Sequence, residues 1–356
     1  MKQSERSYKR IVVKAGSSML FGDTSCSDSF FFPMKELSRQ ISGLMCEKKE
    51  VVVVSSGAIA SGMHLLKAKL RPKELSSLQA TAALGQHFLM SQYQGFFEKR
   101  GLNCAQLLLT YDDFNDRRRY LNAKGTISNL LLNKIVPIVN ENDTISTDEI
   151  KFGDNDKLSA LVATLIDADL LIILSDVDGL WDSNKNIIRV VDEITPEIKS
   201  LACPTDKQRC VGGMITKIEA AKIATDSGIP CVIANGNKKD ILLSVVADPK
   251  KQGTLFVSRK SLDAKQRWMA FGTKTKGKIM VDDGAKRALL SKKSLLSVGV
   301  CKIDGNFDSR EVVSVTDKDG KEFARGKVSL SSKHLEKVKG ARFEKEIIHR
   351  DNIVIL

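Results

Sequence analysis

The sequence predicts an α/β protein: a three-layer α/β/α sandwich on a mainly parallel sheet, followed by a small β-rich domain. Three observations lead there. Uninterrupted apolar runs such as Val51–Val54, Ile135–Val139 and Leu170–Leu174 alternate with segments of helical periodicity. That is the pattern of strands buried on both faces by helices. The rhythm stops after about residue 260, and short stretches of period-two alternation with Gly and Asp turns replace it.

Taken in order, Arg10–Lys14 reads as the first strand. Met34–Glu47 reads as a helix, because Leu37, Ile41, Leu44 and Met45 share one face. Val51–Val54 is a fully apolar strand, Leu78–Phe97 a long helix, Ala105–Leu109 a strand and Tyr120–Leu132 a further helix. Ile135–Val139 and Leu170–Leu174 are buried strands, separated by a helix on which Leu158, Leu161, Val162 and Leu165 line up. Asp178-Gly179-Leu180-Trp181 is a turn into a hairpin, with Trp181 expected to pack in the core. Thr216–Ser227 is a helix stopped by Gly228, and Pro230–Ala234 closes the series as a strand. This first domain is expected to span residues 1–260, with a Lys- and Arg-bearing linker over 261–276. The final domain, 277–356, should hold strands near 277–285, Val298–Ile303, Glu311–Val315 and Glu322–Val328, with a tight turn at Asp319-Gly320.

At 356 residues and 42% hydrophobic, the chain can bury a large core. No apolar run approaches the length of a membrane span, and Met-Lys-Gln-Ser-Glu-Arg opens the chain without an apolar signal region. Seven scattered cysteines without a Cys-x-x-Cys pair point to reduced thiols and a cytoplasmic protein. The net charge of +13 is spread in small clusters such as Arg117-Arg118-Arg119, Lys250-Lys251 and Lys292-Lys293, which reads as a solvated surface that attracts anions. None of the four histidines has a metal-ligand spacing.

The densest chemistry lies where the strand Ile135–Val139 ends. Asn140-Glu141-Asn142-Asp143-Thr144 is followed by Gly153-Asp154-Asn155-Asp156, after which the next helix starts. Such a set of amides and carboxylates is poor core material, and strand carboxyl ends are where open α/β sheets bind ligands. A turn and a helix N-cap explain one or two of these residues, not all of them.

These two motifs resemble the glutamate-binding signature of the glutamate 5-kinases, a family of the amino-acid kinase superfamily. Three further matches come in the expected order: Val12-Val13-Lys14-Ala15-Gly16-Ser17-Ser18, Val54-Ser55-Ser56-Gly57-Ala58-Ile59-Ala60-Ser61-Gly62, and Gly212-Gly213-Met214-Ile215-Thr216-Lys217. The series Val281-Asp282-Asp283-Gly284-Ala285, Ser294-Leu295-Leu296 and Gly305-Asn306-Phe307 resembles a PUA domain. The resemblance implies the amino-acid kinase fold, ATP and Mg²⁺ as cofactors, and phosphorylation of the side-chain carboxylate of L-glutamate as the first step of proline synthesis. It also implies a homo-oligomer and feedback inhibition by proline.

It assigns roles to individual residues as well. Lys14 and Lys217 would flank the γ-phosphate; Asp154 and Asp156 are open to three roles, as ammonium ligands, magnesium partners or orienters of the two lysines, and neither is assigned as a metal ligand. Nucleotide would meet Lys14, Gly16, Ser17, Ser175, Asp176 and the run Val211, Gly212, Gly213, Met214, Ile215, Thr216 and Lys217. Glutamate would meet Ser56, Gly57, Asn140, Asp143 and Asn155. Chemistry supports the pairing of residue types: glycines let backbone N–H groups approach phosphate oxygens, and ammonium groups neutralise them. The bland alternatives are a snorkelling Lys14, a surface Lys217 and a Ser56 that merely caps a helix. Ala15 and Val211 depart from the leucine and threonine common in the family.

Two rivals remain at this level. Aspartokinase and acetylglutamate kinase share the fold, although the paired motifs and the PUA-like tail disfavour them. From another class, an RNA-binding role rests on the tail, where 18 Lys and Arg stand against 12 Asp and Glu from Lys276 onward. The G-x-S-x-G spacing of an esterase and the Walker A motif are both absent.

Overall fold

A computed structural model of the chain describes residues 8–22, 30–145, 155–202, 212–258 and 262–356. It divides into two units, Met1–Asp113 with Arg117–Ser261, and Phe114–Asp116 with Leu262–Leu356.

In the first unit the chain runs β1 (Arg10–Ala15), α1 (Phe32–Cys46), β2 (Glu50–Ser55), α2 (Ala58–Leu65), α3 (Leu75–Glu98) and β3 (Cys104–Leu109). It continues through α4 (Tyr111–Asn115), α5 (Arg117–Leu132), β4 (Val136–Glu141), α6 (Asp156–Leu165) and β5 (Leu170–Ser175). The final stretch is β6 (Val190–Val191), α7 (Pro196–Ser200), α8 (Gly212–Asp226), β7 (Cys231–Asn235), α9 (Ile241–Ala247) and β8 (Thr254–Phe256). The strands form one sheet in the order β3-β4-β2-β1-β5-β7-β8-β6. The six strands from β3 to β7 in that order are parallel, and β8 runs antiparallel to β7. Every residue of β4 and β5 is buried, which is why these runs carry no polar alternation.

The sheet order positions the site. From β1 the chain moves to one side for β2, β3 and β4, and then crosses back to lay β5 on the other side. Such a reversal opens a crevice beyond the carboxyl ends of the central strands. Lys14, Ser55, Glu141 and Ser175 all stand at those ends.

Close approach of α2 and α3 shapes the wall of that crevice. A Cβ on Gly62 would lie 2.0 Å from the Thr81 carbonyl oxygen, and one on Gly85 would lie 1.9 Å from that of Ala58. Only bare backbone fits there.

The helices and strands expected between β1 and β7 are all present, α1, α3 and α5 each starting a few residues earlier. The hairpin at 178–188 forms, with Ile188 N–H donating to Leu180 O at 2.8 Å. The expectation that Trp181 packs in the core is wrong, since the side chain is 48% exposed.

In the second unit, α10 (Ala264–Arg267) and a π-turn (Trp268–Gly272) lead into β9 (Lys278–Val281), α11 (Asp283–Leu290), β10 (Val300–Asp304), β11 (Val312–Thr316) and β12 (Glu322–Lys327). After them come α12 (Ser332–Val338) and β13 (Ile353–Ile355). The sheet order is β10-β9-β11-β12-β13. Three differences from the sequence reading stand out. The passage 261–276 is no free linker, because Met269 and Ala270 are buried against Val312 and Val354. The segment 277–285 is a strand only as far as Val281; there Asp282 accepts a hydrogen bond from Ala285 N–H at 2.7 Å and caps a helix. Helix α12 and strand β13 went unforeseen, being too short for periodicity to mark.

Candidate active site

Asp156 is the first residue of α6 and is fully buried. Its Oδ1 lies 2.6 Å from Lys14 Nζ, and its Oδ2 lies 3.4 Å from Lys217 Nζ. Thr216 Oγ1 donates to the same Oδ2 at 2.9 Å. One carboxylate from α6 therefore holds two ammonium groups, one from the end of β1 and one from the first turns of α8. Lys14 and Lys217 are 3% and 9% exposed, so neither is a surface lysine nor a snorkelling one. Both ammonium groups lie against glycine. A Cβ on Gly16 would come 3.5 Å from Lys14 Nζ, and one on Gly213 would come 3.3 Å from Lys217 Nζ. Lys217 also donates to Gly213 O at 2.8 Å.

Buried charge is costly unless paired, so this triad is over-determined by its surroundings. Among the described residues, this triad sets two positive groups against one negative beside Gly16 and Gly213. That is a receptor for an anion, already oriented before the anion arrives.

Beside the triad runs a chain of side-chain amides. Asn155 Nδ2 donates to Ser55 O and to Asn140 Oδ1, each at 2.7 Å. Asn140 Oδ1 also accepts from Glu141 N–H at 2.9 Å, and Asn140 Nδ2 donates to Gln86 Oε1 at 2.7 Å. Asn155 occupies the N-cap position of α6 but makes no capping bond. Its side chain reaches across β2 instead, so capping does not explain the residue. Both Nδ2 hydrogens are spent on these bonds, leaving Oδ1 as an acceptor.

Asn140 and Asn155 line a cleft of about 130 Å³ that is also bounded by Ser17, Ser56, Arg71 and Asp143, among others. Gly57, not Ser56, sits at the N-cap of α2, with φ at 101°. The Ser56 hydroxyl is buried without a hydrogen-bond partner among the described residues. An unsatisfied buried hydroxyl at the wall of a cleft calls for a ligand. Burial raises the Asp143 carboxyl to about 6, against a smaller lowering by Arg71.

The structure brings Ser17, Ser56, Gly57, Asn140, Asp143 and Asn155 to one cleft, and Lys14, Gly16, Gly213, Thr216, Lys217 and Asp156 to one triad. Ser175 and Asp176 stand at the end of β5, where Ser175 Oγ donates to Asp176 Oδ1 at 3.1 Å. Gly212 opens α8, and Met214 and Ile215 are half-buried in its first turn. Asp154 and Val211 lie outside the described residues. Sequence reasoning missed Glu141, Arg71 and Gln86 as participants. Glu141 stood inside a quoted motif; Gln86, a polar residue on the buried face of an apolar helix, was the only other local signal.

Residues 9–235 match the model of the Amino acid kinase family, and residues 277–350 match that of the PUA domain. The first match, with the triad and cleft, defines the class as a kinase of small molecules. A glutamate 5-kinase of Thermoanaerobacter sp. (strain X514) is 44% identical over 366 residues, covering 98% of each chain. One of Dictyoglomus thermophilum is 43% identical over 372 residues, also covering 98% of each. The chain belongs to the amino acid kinase family and, within it, to the glutamate 5-kinases. Among solved structures, carbamate kinase from Giardia lamblia superimposes with a TM-score of 0.50 at 18% identity, covering 72% of this chain and all of that one. This last likeness concerns the fold alone.

Proposed function

We propose that the chain transfers the γ-phosphoryl group of ATP to the side-chain carboxylate of L-glutamate, giving L-glutamyl 5-phosphate, the first step of proline synthesis. The observation that carries this reading is the Lys14–Asp156–Lys217 triad set beside a cleft of amides and carboxylates. Bringing a carboxylate up to a phosphate opposes two anions, and two fixed ammonium groups offset that repulsion. Transfer is direct and in line, because positioning and charge neutralisation dominate such reactions.

Lys14 and Lys217 hold the transferring phosphoryl oxygens from two sides. Asp156 is their positioning residue, and with an ammonium against each oxygen it is not a ligand for Mg²⁺. Mg²⁺ would neutralise phosphate charge when bound, and phosphate oxygens and water would be its main ligands. Gly16, Ser17, Ser175, Asp176 and the run from Val211 through Gly212 to Lys217 contact nucleotide, and the family resemblance makes Asp154 a further catalytic carboxylate. For glutamate, Asp143 and Asn155 Oδ1 accept from its ammonium group, while the Ser56 hydroxyl and the backbone at Gly57 donate to a carboxylate. Asn140 holds Asn155 in orientation. The reading extends to a cytoplasmic homo-oligomer inhibited by proline, with RNA unnecessary for activity.

The test is a coupled assay of ADP release with MgATP over a panel of glutamate, aspartate, N-acetylglutamate and carbamate. Turnover that needs glutamate and survives nuclease supports the reading. Turnover with another acceptor, or dependence on RNA, overturns it.

A further inference from the structure

The amide chain has a direction, and its last member points at something not yet assigned. The Ser55 carbonyl can only accept and the Glu141 amide can only donate, and together they fix which way every amide faces. Asn155 must present Nδ2 to Ser55 O and to Asn140, so Asn140 must present Oδ1 to Asn155 and Nδ2 to Gln86. Gln86 accepts through Oε1, which leaves its Nε2 hydrogens pointing away from the chain.

That nitrogen is buried and has no hydrogen-bond partner among the described residues, while the whole side chain is only 8% exposed. A buried amide donor left unsatisfied costs free energy, and native proteins keep few of them. Gln86 lines a chamber with His87, Gln106, Glu141, Asn142 and Asp143, and Glu141 and Asp143 also border the main cleft. The chamber therefore adjoins the amino-acid cleft across Glu141 and Asp143, which are walls of both. The sheet order puts it there, since β2 and then β4 separate β1 from β3.

We propose that Gln86 is a specificity-determining contact, its Nε2 donating to an oxygen of the substrate's α-carboxylate. The assignment rests on the glutamate reading above. If the side-chain carboxylate meets Lys14 and Lys217, the α end of the same molecule lies toward Gln86. Glu141 and Asp143 suit its ammonium group, but neither can donate to a carboxylate once ionised. Gln86 supplies a side-chain donor on that side, beyond those of Ser56 and Gly57. A site built around such a donor rejects molecules that cannot satisfy it.

The experiment compares the unmodified chain, Gln86→Glu and Gln86→Met, with glutamate as substrate and its α-amide as competitor. Gln86→Glu keeps the acceptor toward Asn140 and replaces the donor by an anion. Gln86→Met removes the donor without adding charge. We expect both variants to raise KM for glutamate about tenfold or more, with kcat within about threefold and KM for ATP unchanged. In Gln86→Glu the preference for glutamate over the α-amide should shrink at least about tenfold, because the carboxamide can donate to the new carboxylate. Unchanged KM in a folded variant overturns the proposal. So does an equal loss of glutamate and α-amide binding, the mark of a packing role. An unmodified chain that ignores glutamate instead refutes the reading of function beneath it.

Discussion

Lys14 Nζ and Asp156 Oδ1 approach to 2.6 Å with both side chains almost wholly excluded from solvent. Neither charge could be buried alone, so Lys14 and Asp156 hold each other, and Lys217 pairs with the far oxygen of Asp156. Replacing Asp156 by Asn removes the carboxylate that pairs both buried ammonium groups. We expect stability to fall by about 3 kcal/mol, in the range for breaking a buried pair, and kcat to fall at least about 100-fold. Thermal melting and steady-state kinetics on the same preparation check both.

Lys217→Ala should act on the transition state. One charged donor at a transferring phosphoryl group contributes on the order of 3 kcal/mol, so kcat should drop about 100-fold while KM for glutamate changes far less. An unchanged kcat in a folded variant would remove Lys217 from the mechanism.

Asp143 ties function to pH. Its carboxyl sits at about 6 because burial disfavours the charged form. Binding an ammonium group needs the ionised form, so KM for glutamate should rise as pH falls below about 6. Stability has the opposite sign. Between the unfolded value of 3.8 and about 6 the unfolded chain is ionised at this position while the folded one is not, so stability is lost as pH rises through that window. Asp143→Asn should therefore bind glutamate poorly yet melt higher than the unmodified chain at pH 7, with the gap closing near pH 4. A variant no more stable at neutral pH would count against the buried-carboxyl account.

Gly85→Ala tests the wall of the cleft. A methyl group would fall 1.9 Å from the Ala58 carbonyl oxygen and 2.3 Å from the Gly62 nitrogen, both backbone atoms that cannot swing aside. Helices α2 and α3 would have to separate, at a cost of about 3 kcal/mol. Chemical denaturation measures the loss, and a variant of normal stability would show that the helices slide freely.

Truncation tests modularity, and the structure moves the cut. The passage 262–276 packs within the second unit, where Trp268 Nε1 donates to Phe114 O at 3.1 Å and Lys274 N–H donates to Asn115 Oδ1 at 2.7 Å. Ending the chain near Ser258 removes all of that unit but Phe114–Asp116, whereas ending it near Lys274 also leaves part of the 262–276 passage behind. Every residue assigned to chemistry lies before Asn237, so the 1–258 fragment should retain glutamate-dependent ADP release. A folded fragment without activity would show that the second unit, or residues 114–116 deprived of it, supports catalysis.

The sequence by itself determined the alternation that makes the sheet, because strands buried on both faces carry continuous apolar runs, as β4 does from Val136 to Val139 and β5 from Leu170 to Leu174. It also marked the loops that carry chemistry, since Gly16, Gly213 and the Asn140–Asp143 run are expensive residues to place without a purpose. Tertiary structure decided what local pattern cannot express. Asp156 could have been a cap, a metal ligand or an orienting group until α6 set it between β1 and α8, some 140 residues from Lys14 and some 60 from Lys217. Ser56 and Asn155 read equally well as caps until the fold gave the cap of α2 to Gly57 and sent Asn155 toward Ser55. Gln86 gave little sign of itself, because its partner Asn140 comes from a distant part of the chain and is itself held by Asn155. Periodicity reports which face of an element is buried, and long-range hydrogen bonding decides what a buried polar group is for.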